Sequence, residues 1–204
     1  LEIVANNLAK RFERNWLFRG LTHTFEPHKK YAIIGANGIG KSTLLQILAG
    51  FIPPTSGKVN YFSKDGKPIS DPLGKITFAS PAMELIEEFT LHELLHFHYR
   101  IQGIPPGQSI ATLADKFQLT HALRKPIRHF SSGMKQRVKL GLAFYSMAEV
   151  IFIDEPTTNL DKKGIEWYRQ LLLSAKERCV LIASNIEHEY AEMVQAHIDI
   201  QQYR

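Results

Sequence analysis

The feature that most constrains this chain is Gly-Ala-Asn-Gly-Ile-Gly-Lys-Ser-Thr at residues 35–43, held between the apolar run Tyr-Ala-Ile-Ile and the helix-periodic stretch Lys41–Gly50. The apolar run reads as a buried strand, and Gly50 reads as a helix stop. The pattern is GxxxxGK[ST], and each part has a physical task. Gly35, Gly38 and Gly40 let the backbone curl so that successive N–H groups point inward at an anion. Ala36, Asn37 and Ile39 complete the curl, and the helix that follows adds its N-terminal dipole. Lys41 has the reach for the β- and γ-phosphates of a nucleotide, and the Ser42 hydroxyl, beside Thr43, suits Mg²⁺. A strand before and a helix after is the setting this loop requires, so the segment predicts a phosphate-binding unit.

The rest of the chain fits an α/β core around that unit. IVANNLAKRF and WLFRGLTHTF predict antiparallel strands joined at Glu13-Arg14-Asn15. VNYF and ITFAS predict further strands about the Asp65-Gly66 turn. From about 82 to 148 the pattern turns helical, in ELIEEFTLHELLHFHYRIQG, ATLADKFQL and SGMKQRVKLGLAFYSM, with Pro105-Pro106-Gly107 between the first two. VIFID (150–154) and VLIAS (180–184) are buried-strand runs on either side of the helical KKGIEWYRQLLLSAK, and a short helix and an IDIQ strand follow. Strands alternating with helices predict parallel pairing. The expected fold is α/β: a P-loop NTPase core with a mostly parallel sheet, an N-terminal antiparallel β subdomain and an inserted α-helical lobe. It is expected as one domain over 1–204, with 1–81 and 149–204 as the core lobe and about 82–148 as the helical lobe.

VIFIDEP ends in Asp154-Glu155. A carboxylate at a strand's C-terminal end lies where ligands bind in open α/β sheets. Asp154 is placed to hold Mg²⁺ through water, and Glu155 to polarise an attacking water. Composition excludes other classes. With 44% hydrophobic residues the chain is not disordered, and with Cys179 its sole cysteine it is no disulfide scaffold and fits a reducing compartment. No apolar run approaches the ~20 residues that span a bilayer. The net charge of +5 points weakly to an anionic partner. A first residue of Leu is expected of a trimmed chain.

FSSGMKQR (130–137) precedes the Asp-Glu strand, and TNLD (158–161) follows it. Taken with GANGIGKST and VIFIDEP, their order and spacing over essentially the whole chain resemble the ATP-binding cassette (ABC) ATPase family. That family's signature is usually LSGGQ; here it is Phe130-Ser131-Ser132-Gly133-Met134, which keeps Ser131 and Gly133. The resemblance implies ATP and Mg²⁺ as ligands, with Ser131 and Gly133 of one subunit closing over the nucleotide held by another. A homodimer, or a heterodimer with a second such subunit, is therefore implied. Asp161 matches the aspartate that touches the opposite protomer, and Phe12, 23 residues before the loop, matches the adenine-stacking aromatic, with Trp16 a lesser candidate. The implied activity is ATP hydrolysis that drives a separate membrane permease, from a peripheral position on the cytoplasmic face of the cell (inner) membrane. The permease would dock beside the helical lobe, where Leu85, Ile86, Phe89 and Phe97 are candidate groove residues.

Two positions depart from the family. Its glutamine after the ITFAS strand, a Mg²⁺ ligand and permease sensor, is replaced near Ser80-Pro81, and no glutamine occurs from 47 to 101. Its histidine after VLIAS, which contacts the γ-phosphate, is Asn185, which donates a hydrogen bond but cannot become cationic. His188 is a poor substitute, expected on the surface. Slowed hydrolysis follows from these changes. Two rival readings remain: a soluble ABC protein acting on nucleic acid or ribosomes, and a weakly hydrolysing regulatory half of a heterodimeric transporter. The first usually needs a tandem cassette or long coiled-coil arms, for which 204 residues leave no room, so nucleic acid is not expected as a partner. His92-Glu93-Leu94-Leu95-His96 matches the HExxH zinc motif, but Asp115 is the first acid after it, and a capping box from Thr90 to Glu93 explains the segment better.

Overall fold

The computed structural model describes residues 1–204. The first half of the chain runs β1 (Glu2–Phe12), β2 (Asn15–Phe25), β3 (Lys30–Ile34), α1 (Lys41–Leu48), β4 (Ser56–Phe62), β5 (Pro68–Ile69), β6 (Ile76–Ala79), α2 (Leu91–Gln102) and α3 (Ile110–Lys116). The second half runs α4 (Ser132–Phe144), β7 (Val150–Asp154), α5 (Lys162–Ser174), β8 (Cys179–Ala183) and β9 (Ala196–Asp199).

Two sheets result. The antiparallel one has the order β2-β1-β4-β5, and the parallel one β6-β7-β8-β3-β9. Every residue of β7 and β8 is buried, because helices or the other sheet cover both faces. Alternation along β7 divides its side chains: Val150 and Phe152 join the core shared with α1 and the antiparallel sheet, while Ile151 and Ile153 face α4 and α5. A third core, built from Leu91, Leu95, Phe117, Ile127 and Val138, holds the helical segment together. The register aligns the C-terminal ends of the central strands, with Ile33 and Asp154 both level with Ala183.

Four expectations are corrected. VNYF turns at Asp65-Gly66 into the short β5, while ITFA joins the parallel sheet beside β7. The turn closes tightly because Ser63 N donates to Lys67 O at 2.8 Å, and Pro72 then redirects the chain. Helix α2 starts at Leu91, not at Glu84. The preceding backbone is taken by the segment before α4, with Ile127 N donating to Phe89 O at 2.8 Å and Arg128 N to Glu87 O at 3.0 Å. Thr90 caps α2 in the expected box with Glu93. The last strand stops at Asp199 because its carboxylate accepts from Gln201 N at 2.9 Å and opens a 3₁₀ turn, and the expected helix after β8 is likewise one 3₁₀ turn, Glu187–Glu189.

Gly57 is the least replaceable glycine in the antiparallel sheet. It has φ +84°, and a Cβ there would lie 2.3 Å from Asn7 O and 2.6 Å from Asn6 O, at the bulge between Asn6 and Ala9 of β1. Backbone oxygens cannot step aside as a flexible side chain does. Gly57→Ala is expected to cost about 2–4 kcal/mol, read as a lower urea midpoint with an unchanged slope.

Candidate functional site

The loop between β3 and α1 takes the curl that its glycines permit. Gly35, Gly38 and Gly40 have φ of 141°, 74° and 115°, values that side chains rarely tolerate. Space is short as well: a Cβ on Gly40 would lie 3.1 Å from Leu17 Cδ1, and one on Gly35 would lie 3.0 Å from Ile39 Cγ2. Ile39 is buried in the core below and pins the loop down, while Ala36, Asn37 and Gly38 stay exposed at its rim. Gly40 provides no side-chain cap for α1, so the first N–H groups of that helix face the loop without intrahelical acceptors. Lys41 is folded over the curl, its Nζ donating to Gly35 O at 2.8 Å and Ala36 O at 3.1 Å. Burial lowers its pKa, and the negative charges of Glu155 and Asp154 oppose that shift.

A cleft of about 350 Å³ opens over this loop, lined by Phe12, Gly38, Lys41, Ser42, Thr43 and Glu155 among others. Phe12 is half-exposed there, with Lys10 Nζ 5.0 Å from its ring centre. Trp16 is engaged elsewhere, covered by the guanidinium groups of Arg11 and Arg19 at 5.2 and 5.5 Å. The residues expected at the phosphates and at the base thus share one cleft, and Leu17, missed in the sequence, helps line it.

Asp154 lies at the end of β7, buried, with Oδ1 lacking any hydrogen-bond partner. Burial raises its pKa; the Ser42 hydroxyl lowers it, Glu155 raises it, and Lys41 and the Ser80 hydroxyl lower it. One orphaned carboxylate oxygen beside serine hydroxyls is a hard, all-oxygen donor set, and it fits Mg²⁺. Ser80 falls here because β6 runs parallel to β7, with Ala79 level with Ile153. No group of three or more His, Cys, Asp and Glu side chains gathers anywhere in the fold. His92 and His96 are exposed with ring centres 6.3 Å apart, and Glu93 accepts from Thr90 N at 2.7 Å in the cap that starts α2.

A carboxyl whose pKa rises on folding favours the fold when protonated. That contribution is present below the ordinary carboxylate value of about 4 and is lost as pH rises through the raised one. Ionised Asp154 therefore costs the nucleotide-free protein stability at neutral pH. Asp154→Asn is expected to raise the unfolding temperature at pH 7 by a few degrees, with the gain shrinking toward pH 4, and to abolish any added stabilisation by Mg²⁺; thermal melts across pH check this.

Glu155 holds a left-handed backbone conformation, φ 44°, fixed by its N–H donating to Ala183 O at 2.9 Å. Such strain persists only where the surroundings impose it. The Glu155 side chain is exposed to the cleft and accepts from Thr158 Oγ1 at 3.3 Å. From the neighbouring strand end, Asn185 Nδ2 donates to Asn37 Oδ1 and so touches the phosphate loop. His188 is exposed on the 3₁₀ turn, its carbonyl bonded to Arg169, and it does not reach the loop.

Ser131, Gly133 and Asp161 lie apart from the cleft but close to one another. Ser131 caps α4, accepting from Met134 N at 3.2 Å, and Asp161 caps α5, accepting from Gly164 N at 2.7 Å. Gly133 lets the 155–161 loop pack close: a Cβ there would lie 2.8 Å from Asn159 O. Lys135-Gln136-Arg137 reads in the sequence as a solvated helix face, but Gln136 is buried and donates to Pro156 O at 2.9 Å, and Arg137 pairs with Asp161 at 3.6 Å.

The family model described as "ABC transporter" matches residues 18–158, which include the phosphate loop, the α4 cap and the Asp154-Glu155 strand end. The chain belongs to the ABC transporter family. Its ABC relatives include the bacitracin transport ATP-binding protein BcrA of Bacillus licheniformis, 34% identical over 177 residues covering 83% of this chain and 56% of that protein. The cytochrome c biogenesis ATP-binding export protein CcmA of Shewanella frigidimarina is 32% identical over 184 residues, covering 89% of this chain and 85% of that one. The ABC fold is shared with a putative ABC transporter ATP-binding protein from Pyrococcus furiosus, at a TM-score of 0.82 and 21% identity over 100% of this chain and 99% of that one. Within this ABC chain, no helix is long and apolar enough to cross a membrane.

Proposed function

We propose that this chain binds and hydrolyses Mg-ATP as the ATP-binding subunit of a transporter, of the export type named for its cytochrome c biogenesis relative. The observation that carries this reading is the convergence of the phosphate loop, Asp154, Glu155 and Asn185 at one edge of the parallel sheet. Lys41 and the N–H groups of residues 38–43 hold the phosphates, and the Phe12 ring stacks on adenine. Ser42 and Asp154 would hold Mg²⁺, which when bound would neutralise charge on the phosphate oxygens. Glu155 orients the attacking water and accepts its proton. Asn185 leaves Asn37 and donates to the γ-phosphate, a weaker contact than a cationic histidine makes, and hydrolysis is accordingly slow.

Ser131, Gly133 and Asp161 belong, in this reading, to the cleft of a second copy or of a related subunit, which explains their distance from the chain's own cleft. The helical lobe, about 82–148, meets the permease. An apolar groove of about 400 Å³ lined by Phe51, Met83, Leu85, Ile86 and Phe97 supports that docking. Phe89 packs on the helical core, as Leu85 does in part. The chain would then sit peripherally on the cytoplasmic face of the membrane.

Affinity purification of the tagged chain from membranes tests this. A polytopic membrane protein should co-purify, and Mg-ATP should drive two ATP-binding subunits together. Recovery with ribosomes or RNA, lost at high salt, would support the soluble alternative instead. Phosphate release only after addition of a second, different ABC subunit would favour the regulatory half, a reading to which Asn185 and Pro81 lend weight.

A further inference from the structure

We propose that Glu189 is a positioning residue, a buried clamp that holds the Glu155 loop and the Asn185 loop in mutual register. The kinetic part of this inference rests on the ATPase reading above. Glu189 is 1% exposed, yet no Lys, Arg or His lies within ion-pair distance of it. Its two carboxylate oxygens are divided between two hydroxyls: Oε1 accepts from Thr157 Oγ1, and Oε2 from Ser184 Oγ. Thr157 lies two residues after Glu155, and Ser184 lies one residue before Asn185. One sealed carboxylate therefore spans the exits of β7 and β8.

Ser184 Oγ donates to Glu189 and in turn accepts from Ile186 N at 2.9 Å. Both hydroxyls donate to one carboxyl group, so Thr157 and Ser184 are held to a common side chain. A further tie between the two exits is the backbone bond from Glu155 N to Ala183 O at 2.9 Å. Beside the clamp, the Tyr168 hydroxyl is fully buried without a partner. Burying a carboxylate that pairs with no cation is costly, and an apolar side chain would fill the same space more cheaply. What the carboxylate adds is a geometric constraint: it fixes where Glu155 and Asn185 stand relative to each other. Glu189 does not line the cleft, so it acts through these loops and not on the substrate.

The test uses the full chain and three variants, Thr157→Val, Ser184→Ala and Glu189→Gln. The first two each remove one arm without touching the buried charge's other partner, and they serve if the Glu189 variant does not fold. Two readouts are taken: kcat and KM for ATP, and amide hydrogen exchange over residues 155–160 and 184–188. The clamp predicts that kcat falls about 10–100-fold while KM stays within about twofold, because displaced catalytic groups cost rate more than binding. It also predicts faster exchange in both segments in each variant, although Thr157 and Ser184 each belong to only one. Exchange that rises only in the mutated segment would overturn the clamp. A wild-type kcat, or a raised KM at unchanged kcat, would overturn it as well. If the wild-type chain hydrolyses nothing, the ATPase reading fails, and the exchange measurement alone decides the clamp.

Discussion

Glu155→Gln is expected to lower Mg-ATP-dependent phosphate release about 10²–10³-fold while leaving ATP affinity within about threefold. The substitution keeps side-chain volume and an oxygen acceptor for Thr158 Oγ1, so the loop stays in place. The strained φ of 44° is imposed by the backbone bond to Ala183 O, which the variant retains. What disappears, on the proposed reading, is the carboxylate that accepts a proton from the attacking water. Binding on that reading rests on other groups, the loop N–H donors, Lys41 and Ser42, and is expected to persist. The variant should consequently accumulate an ATP-bound state, read as retained nucleotide on gel filtration, and dimers should become visible there if the site is completed by a second subunit. Phosphate release within about twofold of wild type would show that another group activates the water.

Lys41→Ala is expected to weaken ATP binding at least about 100-fold, equivalent to roughly 2.7 kcal/mol. The ammonium is the one cation in the cleft lining, and charge-assisted bonds to phosphate are among the strongest a side chain makes. Its effect on the fold should be much smaller. In the nucleotide-free chain Nζ bonds only two carbonyls of the loop, Gly35 O and Ala36 O, and burial already disfavours its charge. Calorimetric titration with ATP should show the lost affinity. Thermal melts without nucleotide should show a shift of a few degrees at most, whereas the stabilisation that ATP confers on wild type should vanish.

The parts of the site that were legible in the sequence are those whose physics is local. Three glycines within six residues, a lysine and a serine hydroxyl prescribe an anion-binding curl wherever a strand precedes them and a helix follows. Asp154-Glu155 could be read because an apolar run placed them at a strand end. The features that escaped depend on distant partners. Glu84–Phe89 has helical spacing, but residues 127–128 claim its backbone, about 40 positions away. ITFA is a strand as expected, yet whether it closes a hairpin or joins β7 is decided by a run more than 70 residues later. Glu189 carries no motif, since its partners Thr157 and Ser184 meet only when β7 and β8 pair. Cys179 is a buried packing residue, with burial pushing its thiol up to about 12.

Cleavage of ATP in this cleft is tested by phosphate release from the purified wild-type chain with ATP, with and without Mg²⁺, against Lys41→Ala as the blank. Slow release that requires Mg²⁺ and is absent from the blank is expected. Release equal in the two proteins, or none above background at protein concentrations that favour dimers, would contradict it.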